Sequence, residues 1–567
     1  MPKKELRITK DRLKNPRIDT RKINKFILAA RKALGKICWE LPTKLARTCI
    51  PHCAAVTGSG KTLAIAAYGA RCACDDNLEH LVYVTPFITL TEQTERVLMQ
   101  QLHDTCVKVS KTHHKMVYKS KEEQKTARKL GFTINICTSQ KLHLCLTENK
   151  HHLDAKINLE KSVIIIDDAS QYLKPAIASA VLVLLDNLRK KGARIILASA
   201  SLPHYEKIPG YLPPEIKIHR FAENIGQMPG IKTRCHLDII TRPVCLEHLA
   251  DLLDKDIHPE LVVCETVHKS IKVFEHLQKN LPNATIFLLN AKQAPYRRRE
   301  ILEAIEKEIQ KPRRNKKIIV ISTSITQAGW DASFGGGAHD IFDVINALEH
   351  GGRVNRGLEF GKTRTLHVLN IDIPLVKRNP TVDASRRIAQ ELMEAGKITD
   401  PDAPTIAAKM LLDSQSGQTG KSAQKNSRAA QIGDFKYLQT HLQTMGYSRR
   451  GHPLLPPAKE IPGLFNLLKD LLNSMGYRCQ ILRGEKAGDI QVEEELTDEQ
   501  IRETLSQCSA VYREFSMDTN PEKFQEIQGQ GDILRKIVII KKNGETIDTG
   551  FYMLSPKGFN PKTSLPK

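Results

Sequence analysis

Residues 55–62, Ala-Val-Thr-Gly-Ser-Gly-Lys-Thr, have the composition and spacing of a phosphate-binding loop that opens a helix. Glycines let the backbone approach a phosphate, and the N–H groups and positive helix end then converge on the anion. Lys61 is expected to reach the β- and γ-phosphates of a nucleoside triphosphate, and Thr62 to hold Mg²⁺. Ala55 replaces the usual first glycine, and a Gly/Ser turn without a ligand is the alternative. The predicted nucleotide-binding residues of the loop are Thr57, Gly58, Ser59, Gly60, Lys61 and Thr62.

The apolar run of residues 163–166 leads directly into two carboxylates, Asp167 and Asp168. Such runs form buried parallel strands, whose carboxyl ends carry the ligand chemistry of α/β sheets. We predict that Asp167 binds Mg²⁺ and that Asp168 orients or deprotonates an attacking water. A second strand ends in Ser199-Ala-Ser201, whose hydroxyls are suited to relay the state of the nucleotide to neighbouring loops. A strand that merely runs into an acidic turn is the alternative, and the phosphate-binding loop argues against it.

The second half of the chain repeats this design of a strand followed by a polar loop. The strand of residues 317–322 runs into a loop in which Gly329 and Asp331 are candidate nucleotide contacts. Arg353 and Arg356 follow, and they would share one face if their segment were helical. Two guanidiniums aimed at a γ-phosphate held elsewhere on the chain form the arginine-finger arrangement of phosphoryl transfer. Surface arginines without such a role are the alternative.

Further segments carry a resemblance to a known family. These are Thr-Pro-Phe-Ile-Thr-Leu-Thr-Glu-Gln-Thr at 85–94, Cys-Thr-Ser-Gln at 137–140, Val-Val-Cys-Glu-Thr-Val at 262–267 and Gly-Arg-Val-Asn-Arg at 352–356. With the motifs above, they resemble the superfamily 2 helicases, and within them the helicase part of the CRISPR-associated type I family that Cascade recruits to degrade DNA. The resemblance covers residues 50–370. By this resemblance, the nucleic-acid-binding residues are Thr85, Pro86, Gln93, Thr138, Thr266 and Thr323.

The resemblance implies an ATP-dependent helicase or translocase with ATP and Mg²⁺ as cofactors. It implies single-stranded DNA as the partner and 3′-to-5′ movement, and RNA remains an alternative. The family often has a metal-dependent HD nuclease domain ahead of the helicase, and the residues before the phosphate-binding loop do not show its ligands. A separate HD nuclease subunit is therefore expected, together with Cascade. A repair or restriction helicase with no CRISPR role is a further alternative.

Some residues depart from the family pattern. Asp168 stands where the family has Glu, so the carboxylate that positions water is one methylene shorter. Glu349 and His350 stand where the last motif has Gln-Arg. These departures favour an alternative in which the chain is a DNA-binding scaffold that responds to nucleotide but hydrolyses it poorly. Residues 1–55 contain no Gln to read adenine, so the preference for ATP over GTP rests on the resemblance.

Composition agrees with a polyanionic partner inside the cell. The 567 residues include 86 Lys and Arg against 63 Asp and Glu, a net charge of +23, which favours nucleic acid. Aromatic residues make up only 5%, so base stacking should be sparse and sequence preference weak. The thirteen cysteines fit a reducing compartment. We find no secretory signal and no apolar stretch of about 20 residues, and we expect a cytoplasmic protein with no membrane partner.

The order of elements predicts an α/β protein of two tandem RecA-like lobes with mostly parallel sheets, followed by an α+β accessory region. We place a basic N-terminal arm at residues 1–40, lobe 1 with the ATP site at 41–235 and lobe 2 at 236–375. The C-terminal accessory region is 376–567, and it includes a polar linker at 413–428.

Overall fold

The protein is described by a computed structural model with side chains, in which α-helices and β-strands alternate along most of the chain. The described residues are 2–17, 23–112, 121–146, 153–253, 257–290, 295–311, 316–323, 332–361, 363–373, 380–416, 479–481, 490–492, 533–540 and 546–554. The helices are α1 (Pro2–Lys14), α2 (Lys25–Glu40), α3 (Leu45–Thr48), α4 (Lys61–Asp75), α5 (Ile88–Leu102), α6 (Lys121–Arg128), α7 (Ser139–Leu146), α8 (Leu153–Glu160), α9 (Ala169–Tyr172), α10 (Ala178–Lys190), α11 (Leu246–Leu253), α12 (Val267–Asn280), α13 (Pro295–Ile309), α14 (Val344–Gly351), α15 (Pro380–Glu394) and α16 (Ala403–Ser416). The strands are β1 (Ile50–Cys53), β2 (His80–Thr85), β3 (Val109–Thr112), β4 (Ile134–Thr138), β5 (Ser162–Asp167), β6 (Arg194–Ala198), β7 (Ile218–Phe221), β8 (Cys235–Val244), β9 (Glu260–Val263), β10 (Thr285–Leu289), β11 (Ile318–Ser322), β12 (Gly336–Asp340), β13 (Arg364–Ile371), β14 (Cys479–Ile481), β15 (Ile490–Val492), β16 (Ile533–Ile540) and β17 (Thr546–Leu554).

Lobe 1 is built on a parallel sheet with strand order β3-β4-β2-β5-β6-β1-β7. Its central strands are apolar runs because helices cover both faces, and β5 is buried along its whole length. Parallel strands share one carboxyl edge, which brings the ends of β1, β2, β4 and β5 together. The phosphate-binding loop and Asp167 therefore lie at the same edge of the sheet.

The segment predicted to be a basic arm forms two helices that pack on lobe 1 instead. Their apolar side chains, including Leu6, Leu13, Ile27 and Leu34, lie in the same core as Ile65 of α4. Several basic residues of these helices are exposed, among them Lys3, Lys4, Arg7, Lys32 and Lys36, as expected for an amphipathic helix. A count of charged residues does not detect this pattern. The apolar residues recur at helical spacing, and lysines and arginines stand between them in the sequence.

Lobe 2 contains a sheet of order β10-β11-β9-β12-β13-β8, and the pairs from β11 to β8 are parallel. The predicted division after residue 235 falls one residue inside β8, which begins at Cys235. Residues 380–416, which we had placed in the accessory region, form α15 and α16. Both helices pack on this lobe, with Ile388, Leu392 and Leu411 in one core with Val368 of β13. The tandem α/β lobes thus confirm the predicted fold class.

A second compact unit comprises residues 289–307 and 440–567. Its described sheet has the order β14-β15-β16-β17. Strands β16 and β17 are antiparallel, and the residues between them lie outside the described part of the chain. Of the predicted linker, residues 413–416 end α16, and the rest lies outside the described residues. No helix among the described residues is long and apolar enough to cross a membrane.

Candidate nucleotide-binding site

The phosphate-binding loop has the backbone geometry that its glycines predict. It joins β1 to α4, and Gly58 and Gly60 have φ angles of +84° and +83°, in the left-handed region that glycine adopts without strain. Ser59 donates through its hydroxyl to the carbonyl of Val56 at 2.6 Å, which closes the turn. The first N–H groups of α4 have no partners within the helix and face the loop. The loop and the start of α4 therefore have the geometry of an anion-binding site.

Lys61 and the two carboxylates meet at this cradle. The Lys61 side chain is buried, and its Nζ donates to the carbonyl of Ala55 at 3.0 Å. Asp167 ends β5 and accepts from the Tyr83 hydroxyl at 2.9 Å. Burial and the neighbouring Asp168 raise the pKa of Asp167 to about 6, and Lys61 opposes that shift. Each Asp167 oxygen keeps a lone pair beyond its present hydrogen bond, so this carboxylate suits a cation brought by the nucleotide.

Asp168 follows β5 in the left-handed conformation, with φ 45° and ψ 47°. Asp tolerates this region better than most residues with a β-carbon. The turn directs the chain into α9, and Asp168 lines the same cleft as Lys61 and Asp167. The structure thus brings together the three lobe 1 residues that the sequence assigned to catalysis.

The cleft has a volume of about 370 Å³ and contains residues from both lobes. Arg353 and Arg356 of lobe 2 lie in its wall. The premise that a helix aligns them is wrong, because α14 ends at Gly351 and the segment beyond it forms turns. The remaining predicted residues that line the cleft are Thr57, Gly58, Gly60, Lys61, Thr62, Gln93, Asp167 and Asp168.

Two family models match the chain. The DEAD/DEAH box helicase model matches residues 39–208, which contain the phosphate-binding loop and both carboxylates. The C-terminal model of the CRISPR-associated nuclease/helicase Cas3 matches residues 257–359, which contain both arginines. The residues of the phosphate-binding loop and of lobe 2 are thus similar to two helicase domains, each of which covers less than half of this chain.

Solved structures show the same fold at low sequence identity. T. fusca Cas3 is 14% identical with a TM-score of 0.55, over 93% of this chain and 70% of that chain. T. fusca Cas3-ADP is 15% identical with a TM-score of 0.56, over 73% and 57%. T. fusca Cas3-ATP is 16% identical with a TM-score of 0.54, over 73% and 57%. This chain therefore spans just over half the length of the nucleotide-bound Cas3 chains. A search of curated proteins found no match.

Arg234 contacts the phosphate-binding loop and was missed by sequence reasoning. It precedes β8 and is buried, and its guanidinium donates to the carbonyl and the hydroxyl of Thr57 at 2.9 and 3.0 Å. Burial and the nearby Arg356 lower the pKa of Arg234 to about 10. Thr57 in turn donates to the carbonyl of Gly352 at 3.1 Å. Nothing in the local sequence marks Arg234, since its partner Thr57 is 177 residues away along the chain.

Glu349 joins the two lobes beside the cleft. Its Oε1 accepts from the hydroxyls of Ser170 at 2.7 Å and Ser201 at 3.0 Å, and its Oε2 accepts from Gln171 at 2.6 Å. Ser199 donates to Ser170 at 2.8 Å, so the serines that we predicted to relay nucleotide state meet at this carboxylate. Burial and the charge of Asp168 raise the pKa of Glu349.

Neither Glu349 nor His350 is among the described residues that line the cleft. His350 is fully buried against His339, with their Nδ1 atoms 3.2 Å apart. Burial lowers the pKa of His339 to about 3. The pair is therefore neutral at physiological pH and serves the packing of lobe 2.

The predicted nucleic-acid contacts lie at strand ends, but few of their hydroxyls are accessible. Thr85 and Thr138 pair in register on β2 and β4, and both are buried. The Thr85 hydroxyl bonds Thr91 at 2.8 Å. Thr323 is buried after β11, while half-buried Thr266 caps α12 by accepting from Lys269 at 3.1 Å. Hydroxyl contact from Thr85, Thr138 or Thr323 thus requires movement of the loops.

Four other predicted residues remain, of which the structure describes two. Pro86 is half-buried directly after β2. Gln93 lies on α5 and lines the nucleotide cleft. Gly329 and Asp331, the candidate nucleotide contacts in lobe 2, lie outside the described residues.

Proposed function

We propose that this chain hydrolyses ATP to move along single-stranded DNA. The observation that carries the proposal is the cleft, which joins Lys61, Asp167 and Asp168 of lobe 1 to Arg353 and Arg356 of lobe 2. A γ-phosphate between these groups draws the lobes together, and its loss weakens that attraction. Alternate closing and opening of two lobes is the conformational change that converts hydrolysis into stepping.

The proposed roles follow from the chemistry of each group. Lys61 binds the β- and γ-phosphates, and the hydroxyl of Thr62 and the carboxylate of Asp167 hold the Mg²⁺ that accompanies ATP. Asp168 orients the attacking water and accepts its proton. Arg353 and Arg356 stabilise the charge that develops on the transferred phosphoryl group, which is the largest contribution that a protein makes to this reaction.

Single-stranded DNA is proposed to cross the carboxyl edges of both sheets, over the ends of β2, β4, β9 and β11. Backbone N–H groups and hydroxyls there would grip phosphates without reading sequence. The net charge of +23 favours such binding and predicts a strong dependence on salt. The half-buried Thr266 at the start of α12 is the best placed hydroxyl, because its hydrogen remains available for donation while its oxygen caps the helix.

The biological setting that we propose is type I CRISPR interference. Cascade would deliver the displaced DNA strand, and a separate HD nuclease would cut what the motor exposes. Support comes from the Cas3 C-terminal model on residues 257–359. The competing function is a scaffold with poor hydrolysis, and the shorter carboxylate of Asp168 is the observation that favours it.

The test is ATP hydrolysis by the purified chain, alone and with single-stranded DNA or RNA of equal length. We expect DNA to stimulate hydrolysis severalfold and Lys61→Ala to abolish it. Lys32→Ala removes the same charge from an exposed position on α2 and should leave activity unchanged. Absent or unstimulated hydrolysis by the folded wild type would support the scaffold instead. Stimulation by a Cascade-bound target above that by free DNA would support the CRISPR role, and equal stimulation would favour a repair or restriction helicase.

A further inference from the structure

The nucleotide cleft extends past the phosphate-binding loop along one face of α5. Leu90, Gln93, Val97 and Gln101 line it at spacings of three and four residues, which places them on one helix face. Ile23, two residues before α2, lines the cleft as well, together with the side chains of Arg17 and Arg31. Aliphatic side chains beside a few polar groups form a lining that can hold a nucleobase. This part of the cleft adjoins the loop that we propose to hold the phosphates.

Arg31 connects this region to the phosphate-binding loop. It lies on α2 and lines the cleft, and its Nε donates to the carbonyl of Gly58 at 3.4 Å. A Cβ on Gly60 would lie 3.2 Å from the Cγ of Arg31. The loop and the N-terminal helix are thus in close contact, so that a ligand held by the loop is bordered by α2 and α5.

Two glutamines on this face of α5 have different hydrogen-bonding states. Gln101 is satisfied, since its Oε1 accepts from the Arg17 N–H at 2.7 Å and its Nε2 donates to the Arg17 carbonyl at 3.2 Å. It thereby fastens the segment before α2 to α5 and fixes the wall. The buried Oε1 of Gln93 has no hydrogen-bond partner among the residues that the structure describes. An unsatisfied buried carbonyl costs free energy, and a bound group with an N–H donor would remove that cost.

We propose that Gln93 reads the base of the bound nucleotide and makes the site prefer adenine. Its amide suits the adenine edge, where the N6 amine donates to Oε1 and N7 accepts from Nε2. The terminal torsion of Gln has a broad energy profile, so its amide can turn toward the base without strain. The resemblance had made Gln93 a nucleic-acid contact, but its place in the cleft assigns it to the nucleotide. This inference rests on the proposed binding of ATP.

Guanine and hypoxanthine provide the physical contrast. Both carry a carbonyl oxygen where adenine has its amine, so Oε1 of Gln93 would face another acceptor. A buried polar group left unpaired by the wrong ligand is the strongest source of discrimination in such pockets. Residues 1–55 contain no Gln that could read adenine. Gln93 would provide that side chain instead.

The test is displacement of ribose-labelled mant-ADP from the full chain by ATP, ITP, GTP or tripolyphosphate. ITP differs from ATP at C6, where a carbonyl replaces the amine that Gln93 would contact, and at the adjacent N1, which carries a proton in ITP. We expect wild type to bind ATP roughly tenfold more tightly than ITP. Gln93→Leu should bring that ratio close to one by weakening ATP, while tripolyphosphate binding is unchanged. Gln278→Leu, an exposed glutamine on α12, is the matched control and should bind as wild type does.

Equal affinity of wild type for ATP and ITP would overturn the inference while leaving the proposed ATP hydrolysis intact. A Gln93→Leu chain that loses ATP, ITP and tripolyphosphate affinity in proportion would also overturn it, because the side chain would then act on the phosphate site. Should Gln93→Leu not fold, Gln93→Asn shortens the amide beyond reach and should give the same loss of preference. Failure of folded wild type to bind mant-ADP at all would overturn the proposed function, and this inference with it.

Discussion

The carboxylate of Glu349 in lobe 2 accepts a hydrogen bond from the hydroxyl of Ser170 in lobe 1, with 2.7 Å between the oxygens. Ser170 lies two residues beyond Asp168, and Glu349 lies four residues before Arg353. One buried contact therefore connects the residue proposed to orient water with a residue proposed to stabilise the transition state. The lobes cannot separate without breaking it and leaving a buried carboxylate to be rehydrated.

We expect Glu349→Ala to reduce DNA-stimulated ATP hydrolysis about tenfold, because it removes three charge-assisted hydrogen bonds between the lobes. The dissociation constant for ATP should change little, since Glu349 does not line the cleft. Glu349→Gln keeps an acceptor for both serines but sets an amide against Gln171, and it should have intermediate activity. Steady-state kinetics with an ATP-binding titration measure this. Loss of ATP affinity equal to the loss of activity would contradict a role in joining the lobes.

Arg234→Ala should raise the KM for ATP about tenfold and lower kcat less. The guanidinium makes two hydrogen bonds to Thr57, and each such bond from a charged group contributes about 1.5–3 kcal/mol when buried. Without them the phosphate-binding loop is less well fixed before ATP arrives. Arg242→Ala removes an exposed arginine of β8 and is the matched control. An unchanged KM in Arg234→Ala would show that the loop holds its shape alone.

Asp168→Asn should abolish hydrolysis and leave ATP binding nearly intact, because an amide cannot accept the proton of water. Asp168→Glu should raise kcat severalfold, since the longer carboxylate reaches closer to the γ-phosphate. The left-handed backbone at this residue costs Glu more than Asp, so thermal stability should fall slightly in the same variant. A kcat for Asp168→Glu that drops tenfold would show instead that Asp168 is fitted to its site.

The free energy of unfolding should fall in mild acid because of buried histidines. His339 allows the direction of this pH dependence to be tested. Its pKa is lowered to about 3 by burial, so below its ordinary value of 6.5 the unfolded chain takes up a proton that the folded chain does not. Neutral His339 therefore contributes to the free energy of unfolding above pH 6.5. This contribution is lost as pH falls, by about 2 kcal/mol at pH 5. Thermal unfolding of His339→Leu should therefore vary less with pH than that of wild type. His268→Leu, at an exposed position, should retain the wild-type slope.

Spacing along the chain was enough to predict the phosphate-binding loop, the carboxylates that end β5 and the parallel lobes. Each depends on residues that are close in sequence: glycines that allow positive φ, a lysine and threonine that follow them, and apolar runs too continuous for a half-exposed strand. The arginine pair was found in the same way. Their alignment depended on the condition that their segment is helical. That condition is not met, because α14 ends at Gly351 and turns follow.

The tertiary structure decided everything that depends on contact between distant segments. Arg234 with Thr57, Glu349 with Ser170, and Gln93 in the nucleotide cleft are pairs or placements that no local pattern encodes. The basic N-terminal segment shows the same limit, since its charges suggested a nucleic-acid arm while its apolar stripe buries Leu6 and Leu34 against α4. Local sequence specifies which conformations and chemical groups are available. Which of those groups face one another is set by long-range packing, whose free energy is shared among all the residues of the core.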